Sequence, residues 1–194
     1  MIHCKQTENQ SIYQHGLSVQ SYFNRLKTIL QNNEQDSALN LPDWFFQYRN
    51  EILRNLHPQE ITDLYTLYHD CGKPYCLEID SQGRRHFPNH AQVSYETFLG
   101  ISPLLIEDKE QAHIIANLIR DDMVLHTSTA EEIKHHLNTW PKKDAMTLLI
   151  AALAEIHSNA ELFGGIESTS FKIKFKKINK RGKQICKFYF GGKK

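Results

Sequence analysis

The segment that most constrains the fold of this chain is DAMTLLIAALAEIHSNAELF, residues 144–163. Its apolar residues cover so much of a helical surface that no side of the helix can be left entirely to solvent. Other elements must surround such a helix, so we expect it to be the buried central helix of a helical domain. At 194 residues the chain is long enough to build one domain around it without disulfide bonds.

Helical periodicity recurs on the N-terminal side of this segment. Apolar residues follow a helical spacing from Val19 onward, and further helices are expected at 41–56, 58–70, 90–101, 107–126 and 130–137. Between them, residues 77–87 read as a loop whose turn contains Gly83. The pattern predicts an all-α or mainly α fold, with residues 1–165 forming a helical bundle.

The end of the chain departs from this pattern. FKIKFKK (171–177) alternates apolar and basic residues, Gly182 supplies a turn, and QICKFYF (184–190) is rich in β-forming residues. Alternation of this kind predicts a basic β-hairpin, appended to the helical domain as residues 166–194.

The charge of this tail suggests a partner. Ten of the 23 basic residues lie in 171–194, which holds no acidic residue, so residues 1–170 carry 13 basic against 22 acidic side chains. The tail could dock on this acidic body, or its basic side chains could contact a phosphate backbone. We expect contact with nucleic acid, notably RNA, through Lys172, Lys174, Lys176, Lys180 and Arg181.

Two classes of protein are disfavoured by the sequence. No stretch approaches the roughly 18 continuous apolar residues of a membrane span, and MIHCKQTENQ lacks a signal-peptide core. The four cysteines form no CxxC pair, which favours a reduced protein over a disulfide scaffold. We therefore expect a cytoplasmic protein without membrane contact.

The stretch YHDCGKP (68–74) places His69 and Asp70 side by side at the end of a predicted helix. Neighbouring side chains diverge by about 100° within a helix, but this spread relaxes at a helix end, so both could reach one metal ion. Imidazoles and carboxylates are the donors that a water-activating divalent ion needs. Gly72 would permit the exit turn, and Lys73 would direct a cation at a bound anion. The His-Asp pair alone does not show whether this is a metal site or two polar residues that happen to end a helix.

The segment HDCGKPYCLEIDSQGRRHFPNHAQVSYE resembles the signature of the HD-domain metal-dependent phosphohydrolases, especially their nucleotidyltransferase-associated and polynucleotide-repair branches. In these, a His-Asp pair, Gly-Lys-Pro, a loop with a Gly turn and a Phe-x-x-His step follow in this order. Here they are His69 with Asp70, residues 72–74, Gly83 and residues 87–90. The family's first histidine lies in an earlier helix, where this chain has His15. The resemblance spans roughly residues 12–163.

The resemblance implies a helical bundle with a central metal site that hydrolyses a phosphate ester. Carried over by position, His15, His69 and Asp70 would ligate the metal, and His90 would ligate a second ion or contact the scissile phosphate. One or two divalent ions are implied, and Mn, Fe, Co, Ni, Zn and Mg all stay open. The substrate would be a nucleotide or an RNA end with a 2′,3′-cyclic or terminal phosphate, with RNA ends ranked first.

The chain departs from the family at the last ligand. The family closes its site with an aspartate in a later apolar helix, and residues 152–165 contain none. Glu155, His157 and Asn159 are the candidates, and we expect Glu155 because a carboxylate is the closest chemical replacement. If this helix offers no ligand, the alternative is a catalytically inactive HD-fold protein that binds a nucleotide or RNA as an accessory or sensor.

Asp122 and His126 lie four residues apart in IRDDMVLH (119–126) and would share one face of a continuous helix. A carboxylate–imidazole pair there could orient the attacking water or protonate the leaving oxygen, although a surface pair would have the same spacing. Lys73, together with Arg84 or Arg85, would stabilise the charge on the phosphate, and we expect Arg85 to take this role.

Overall fold

The protein was studied as a computed structural model that describes residues 1–191. The helices of this part are α1 (Ile12–Asn32), α2 (Asp43–Gln47), α3 (Arg49–Arg54), α4 (Gln59–Tyr68), α5 (His90–Ile101), α6 (Lys109–Asp121), α7 (Val124–Thr127), α8 (Ala130–Thr139), α9 (Lys142–Ser158) and α10 (Thr169–Phe190). Short 3₁₀ turns lie at Lys73–Tyr75, Ser102–Leu104 and Glu161–Phe163. Two short antiparallel strands, β1 (Glu78–Ile79) and β2 (Arg85–His86), form the sheet. The prediction of a mainly α fold is confirmed.

The chain divides into two compact units. The first unit combines Met1–Gln20 with Pro58–Asp122, and the second combines Ser21–His57 with the chain from Met123 onward. The three boundaries fall inside α1, just before α4, and one residue after the end of α6. No helix within residues 1–191 has both the length and the apolar character needed to cross a lipid bilayer.

In the first unit, α6 packs against α4 and α5. Asp108 caps α6 by accepting hydrogen bonds from the backbone nitrogens of Glu110 and Gln111, which satisfies donors at the helix start. The buried residues of α6 recur at helical spacing and supply much of the core: Ala112, Ile115, Ala116, Leu118 and Ile119. The β1–β2 hairpin turns at Gly83, whose φ of 76° places it in the left-handed region, as the predicted turn requires.

In the second unit, α9 is the helix that the apolar segment predicts. Most of its residues are buried, from Ala145 through His157, and both α7 and α10 pack against it. The prediction of a buried helix is confirmed. His57 ties residues 21–57 to α9, because its Nε2 lies 2.7 Å from Asp144 Oδ1.

His157, near the end of α9, is buried as a neutral ring. Its Nδ1 donates to the carbonyl of Leu153 at 2.8 Å, and its Nε2 accepts from the backbone nitrogen of Asn40 at 3.1 Å. Burial, which disfavours the charged ring, lowers the pKa of His157 below its usual value.

The predicted C-terminal β-hairpin is wrong. Thr169–Phe190 forms one helix, α10, whose N-cap Ser168 accepts from the backbone nitrogen of Phe171. The buried residues Phe171, Ile178 and Ile185 recur every seven positions. This helical period extends over the whole segment, whereas the strand-like alternation covers only residues 171–177. Residues 192–194 of the predicted tail lie outside the described part.

Gly182, predicted to supply the hairpin turn, lies within α10. It is buried, and a Cβ at this position would lie 2.2 Å from Cε2 of Trp44. The absence of a side chain therefore lets the indole ring pack directly on the backbone of α10. This contact fixes α10 in the second unit.

Candidate metal centre

The end of α4 brings His69 and Asp70 together. His69 is the C-cap residue of α4 and keeps right-handed helical backbone angles, and Asp70 lies in the turn that follows. Both side chains are buried, and His69 Nε2 lies 3.3 Å from Asp70 Oδ2. The two consecutive side chains therefore converge at a helix end, as predicted.

His15 reaches the same place because the backbones of α1 and α4 touch. A Cβ on Gly16 would lie 2.4 Å from the carbonyl oxygen of Leu67, so only glycine fits between the two helices. His15 precedes this contact and lies edge-on to His69, with ring centroids 5.2 Å apart. Its Nε2 lies 3.6 Å from Asp70 Oδ2.

His15, His69 and Asp70 could together hold a metal ion. One ligand atom from each lies within 4.8 Å of the others, and all three residues are buried. Two donors bound to one ion at about 2.1 Å lie roughly 3.0–3.4 Å apart at ordinary bond angles. The 3.3 and 3.6 Å that separate the imidazole nitrogens from Asp70 Oδ2 are close to this spacing. Within residues 1–191, no other group of three histidine, cysteine, aspartate or glutamate side chains brings its ligand atoms this close together.

The tautomer of His69 also suits a metal ligand. The Thr66 carbonyl can only accept a hydrogen bond, so His69 Nδ1 donates to it at 2.8 Å. In the neutral ring Nε2 then carries the lone pair, and this atom faces the Asp70 carboxylate. Donation of the second ring nitrogen to a carbonyl is the usual arrangement around metal-binding histidines.

His90 lies at the edge of the cluster, on the other carboxylate oxygen. It is the first residue of α5, and its Nδ1 donates to the Phe87 carbonyl at 2.9 Å. Its Nε2 lies 3.6 Å from Asp70 Oδ1, and its side chain is 17% exposed. His90 is therefore the member of this group that a ligand entering from solvent would meet. Whether it serves a second ion or a phosphate stays a prediction.

Lys73 keeps Asp70 ionised. Its Nζ donates to Asp70 Oδ2 at 2.6 Å and to Gln6 Oε1 at 2.9 Å, and it lies 5.3 Å from the ring centroid of Phe87. Burial by itself raises the pKa of the Asp70 carboxyl, but the adjacent charge of Lys73 holds this pKa well below its usual range. The lysine is itself buried, so its first partner is the carboxylate. Its predicted contact with a phosphate stays a prediction.

Gly72 serves packing instead of the exit turn that was expected of it. Its φ of −82° is open to any residue, but a Cβ would lie 2.3 Å from the backbone nitrogen of Ser94 in α5. Gly72 N donates to Ser94 Oγ at 2.9 Å, and Cys71 Sγ contacts the Ser94 carbonyl at 3.3 Å. The turn that carries Asp70 is thus held against α5. Burial raises the pKa of the Cys71 thiol to about 12, so this cysteine is no nucleophile.

The prediction that Asp122 and His126 share a continuous helix face is wrong. α6 ends at Asp121, with Asp122 as its C-cap residue, and α7 begins at Val124. Asp122 belongs to the first unit, where it accepts a hydrogen bond from the hydroxyl of Tyr65. His126 belongs to the second unit. A new helix starts between the two residues, so the spacing of four does not stack them.

The structure instead pairs His126 with Glu155, the residue expected to close the metal site. His126 Nε2 lies 2.9 Å from Glu155 Oε2, and both side chains are 18% exposed. Both residues belong to the second unit, and the three-residue cluster belongs to the first, so a ligand role for Glu155 stays a prediction. Of the other two candidates, His157 has both ring nitrogens engaged inside the second unit, and Asn159 is the C-cap residue of α9.

Arg85 is exposed on β2, opposite Ile79. The neighbouring Arg84 and His86 both contact Asp80, and their hydrogen bonds lower the pKa of that carboxyl. The exposed position leaves Arg85 accessible to an anion, and its catalytic role stays a prediction.

The five basic residues predicted to bind nucleic acid have different environments on α10. Lys172, Lys176 and Lys180 are exposed. Lys174 is also exposed, but its Nζ lies 4.8 Å from the ring centroid of Phe163. Arg181 is buried and donates to the Ser128 carbonyl. It is therefore not available at the surface, contrary to the prediction that it contacts nucleic acid. The helical period turns Arg181 inward beside Ile178, Gly182 and Ile185.

Sequence reasoning missed three residues that build the cluster. Gly16 permits the helix contact, Ser94 holds the Gly72 turn, and Gln6 shares the ammonium of Lys73. An isolated glycine inside a helical pattern commonly has a packing reason, so Gly16 carried a signal next to His15. Ser94 and Gln6 carried none, because their partners are distant in the sequence.

Comparisons with known proteins give no family assignment. No protein-family model, no curated protein and no solved structure matches this chain. The cluster and the sequence resemblance are therefore the two observations that bear on function.

Proposed function

We propose that this chain is a metal-dependent phosphohydrolase that acts on a phosphate ester of a nucleotide or an RNA end. The observation that carries the proposal is the buried cluster of His15, His69 and Asp70, whose ligand atoms lie within 4.8 Å of one another. The tautomer of His69 and the ionised state of Asp70 give these donors the protonation that metal binding requires.

A divalent ion in this cluster would supply Lewis-acid polarisation of a phosphoryl oxygen and a more acidic water molecule. The chain's own residues have separate tasks. Asp70 and the two buried histidines bind the ion, and Lys73 stabilises the carboxylate form of Asp70. His90, whose Nδ1 donates to the Phe87 carbonyl, presents the lone pair of its partly exposed Nε2 and is suited to ligate a second ion. The nucleotide or RNA-end substrate class follows from the resemblance of residues 68–90 to the HD family.

The roles expected of His126 and Glu155 stay predictions. Within the second unit, the Glu155 carboxylate lies 2.9 Å from His126 Nε2 and orients the ring, an arrangement that suits an acid–base pair. Asp122, the partner expected for His126, belongs to the first unit and accepts a hydrogen bond from Tyr65 there.

The experiment measures metal content and hydrolysis on the same preparation. Purified protein is stripped with chelator, reloaded with Mn²⁺, and assayed with bis-p-nitrophenyl phosphate and with RNA oligonucleotides that end in a 2′,3′-cyclic or a 3′-phosphate. His69→Ala and Asp70→Ala should each lose both metal and activity. His113→Ala is the control, because His113 is an exposed histidine of the same unit.

The outcomes separate the two hypotheses. Protein that binds no divalent metal would refute the hydrolase. Protein that binds metal through His69 and Asp70 but hydrolyses none of these esters would instead support the accessory or sensor protein. Activity that survives both substitutions would place the catalytic site elsewhere.

A further inference from the structure

The exposed face of α10 carries a row of lysines, here called the lysine row: Lys172, Lys176, Lys180, Lys183 and Lys187. Their spacing of four, four, three and four positions places them on one side of the helix, and all five are exposed. At 1.5 Å per residue the row is about 22 Å long. Residues 169–190 contain no acidic side chain, so nothing within α10 neutralises this charge. Its first member, Lys172, pairs with Glu167 at 2.8 Å, and both side chains are exposed.

The opposite face of α10 packs within the second unit through Phe171, Ile178 and Ile185. The remaining basic side chains of the helix are engaged there too. Lys177 donates to the carbonyl of His126, and Lys174 lies over the Phe163 ring. On α10, therefore, Lys174 and Lys177 contact other parts of the second unit, whereas the lysine row faces solvent.

The C-terminal end of the lysine row meets a groove between α8 and α10. The groove has a volume of about 430 Å³ and is lined by Lys134, Leu137, Asn138, Gln184, Lys187 and Phe188. Phe188 is 51% exposed, which is unusual for a large aromatic side chain on a packed helix. Two side-chain amides line the same groove and can hydrogen-bond to a polar ring edge. Lys187 belongs to both the row and the groove.

We propose that the lysine row and this groove bind single-stranded nucleic acid, with phosphates along the row and one base stacked on Phe188. A phosphate backbone is a linear array of negative charges that suits a linear array of ammonium groups. An exposed aromatic ring at the end of such an array is the usual platform for an unpaired base. The bases of a duplex are stacked inside the helix and cannot enter a side-chain groove, so the occupant is a single strand.

A membrane surface does not suit this face. Helices that bind anionic lipid bury an apolar face beside their lysines. On α10, Phe171, Ile178 and Ile185 are buried in its own unit, and the large apolar side chains left exposed, Ile173 and Phe188, are too few to form such a face. We therefore expect no binding to acidic lipid vesicles through this face.

The proposal concerns binding alone and does not depend on the proposed hydrolase activity. The experiment uses a fluorescently labelled oligouridine of about 12 nucleotides, a length within the usual site size for one binding module. Its fluorescence anisotropy is measured as full-length protein is added, at several salt concentrations. The test variant combines Lys176→Gln, Lys180→Gln and Lys183→Gln. The control combines Lys109→Gln, Lys143→Gln and Lys174→Gln, which removes the same charge from exposed positions outside the row.

The test variant should lower the slope of log affinity against log salt by about 2, because each lost phosphate contact on a single strand contributes about 0.7. The control should keep the slope. Phe188→Ala should weaken binding about 5- to 150-fold without changing the slope, since it removes a stacked base and no charge.

Three results would overturn the proposal. The first is wild-type protein that, at about 50 mM salt, binds the oligonucleotide no better than a protein without a basic helix does. Equal effects of the two triple variants would mean that net charge, not the row, governs binding. Binding to phosphatidylserine vesicles without binding to the oligonucleotide would make the face a lipid contact. Circular dichroism of each variant confirms folding, which lysine-to-glutamine changes on an exposed helix face preserve.

Discussion

Replacing Gly16 by alanine tests how the cluster is assembled. A methyl group at this position would lie 2.4 Å from the Leu67 carbonyl oxygen, whereas ordinary contact begins near 3.4 Å. The backbones of α1 and α4 must therefore separate locally by about 1 Å. His15 is adjacent to this contact and moves with α1, while His69 stays at the end of α4.

The expected cost follows from two opposing effects. Alanine is favoured over glycine inside a helix by about 1 kcal/mol, which alone would stabilise the protein. Overpacking against a rigid backbone costs typically 1–3 kcal/mol, so the net change should be a destabilisation of about 1 kcal/mol. A binding constellation tolerates displacements of about 0.5 Å. A shift of twice this size should weaken metal binding about 10- to 100-fold, as loss of a supporting contact commonly does.

Gly100→Ala is the matched control, because Gly100 is also helical but has no neighbour within 4 Å of a built Cβ. It should raise the unfolding temperature slightly and leave metal binding unchanged. The assays are thermal unfolding by circular dichroism and Mn²⁺ titration by calorimetry. If Gly16→Ala unfolds at or above the wild-type temperature and binds Mn²⁺ with wild-type affinity, the contact between α1 and α4 does not position His15.

Two further predictions concern the second unit. Gly182→Ala would place a methyl group 2.2 Å from the Trp44 ring. Chemical denaturation should therefore show a loss of about 1–3 kcal/mol in the free energy of unfolding. Stability equal to that of wild type would mean that α10 does not depend on this contact. The lowered pKa of His157 means that the unfolded chain binds its proton more readily than the folded chain does. The free energy of unfolding should therefore fall as the pH drops below about 6.5, until the lower folded pKa is reached. His157→Gln should show a smaller fall over this range, and parallel curves for the two proteins would contradict this explanation.

The sequence predicted the helical class because the apolar spacing of about 3.6 residues recurs in most segments. It also predicted that His69 and Asp70 converge, since consecutive side chains can meet only where a helix ends. It failed at the C terminus, where a seven-residue alternation was given more weight than the longer period through Phe171, Ile178 and Ile185. The lesson is that a helical period over 20 residues outweighs a short alternation within it.

The pairing of Asp122 with His126 failed for a different reason. No glycine or proline marks the change from α6 to α7, so the sequence gives no local signal that the helix stops at Asp121. The partner of His126 is Glu155, which lies in a different helix. Contacts between distant helices are set by how their faces pack, and one sequence carries little direct information about them.

By itself, the sequence determined the helical class, the buried character of α9, and the side chains from which a metal site could be made. The resemblance implied that His15 joins His69 and Asp70, but only the tertiary structure shows how, through the contact between the backbones of α1 and α4 at Gly16. The tertiary structure also decided which lysines of α10 face solvent, because the indole of Trp44 fixes the rotation of the helix at Gly182. Residue types and local periods are written in the sequence, whereas the pairing of distant surfaces depends on how they pack.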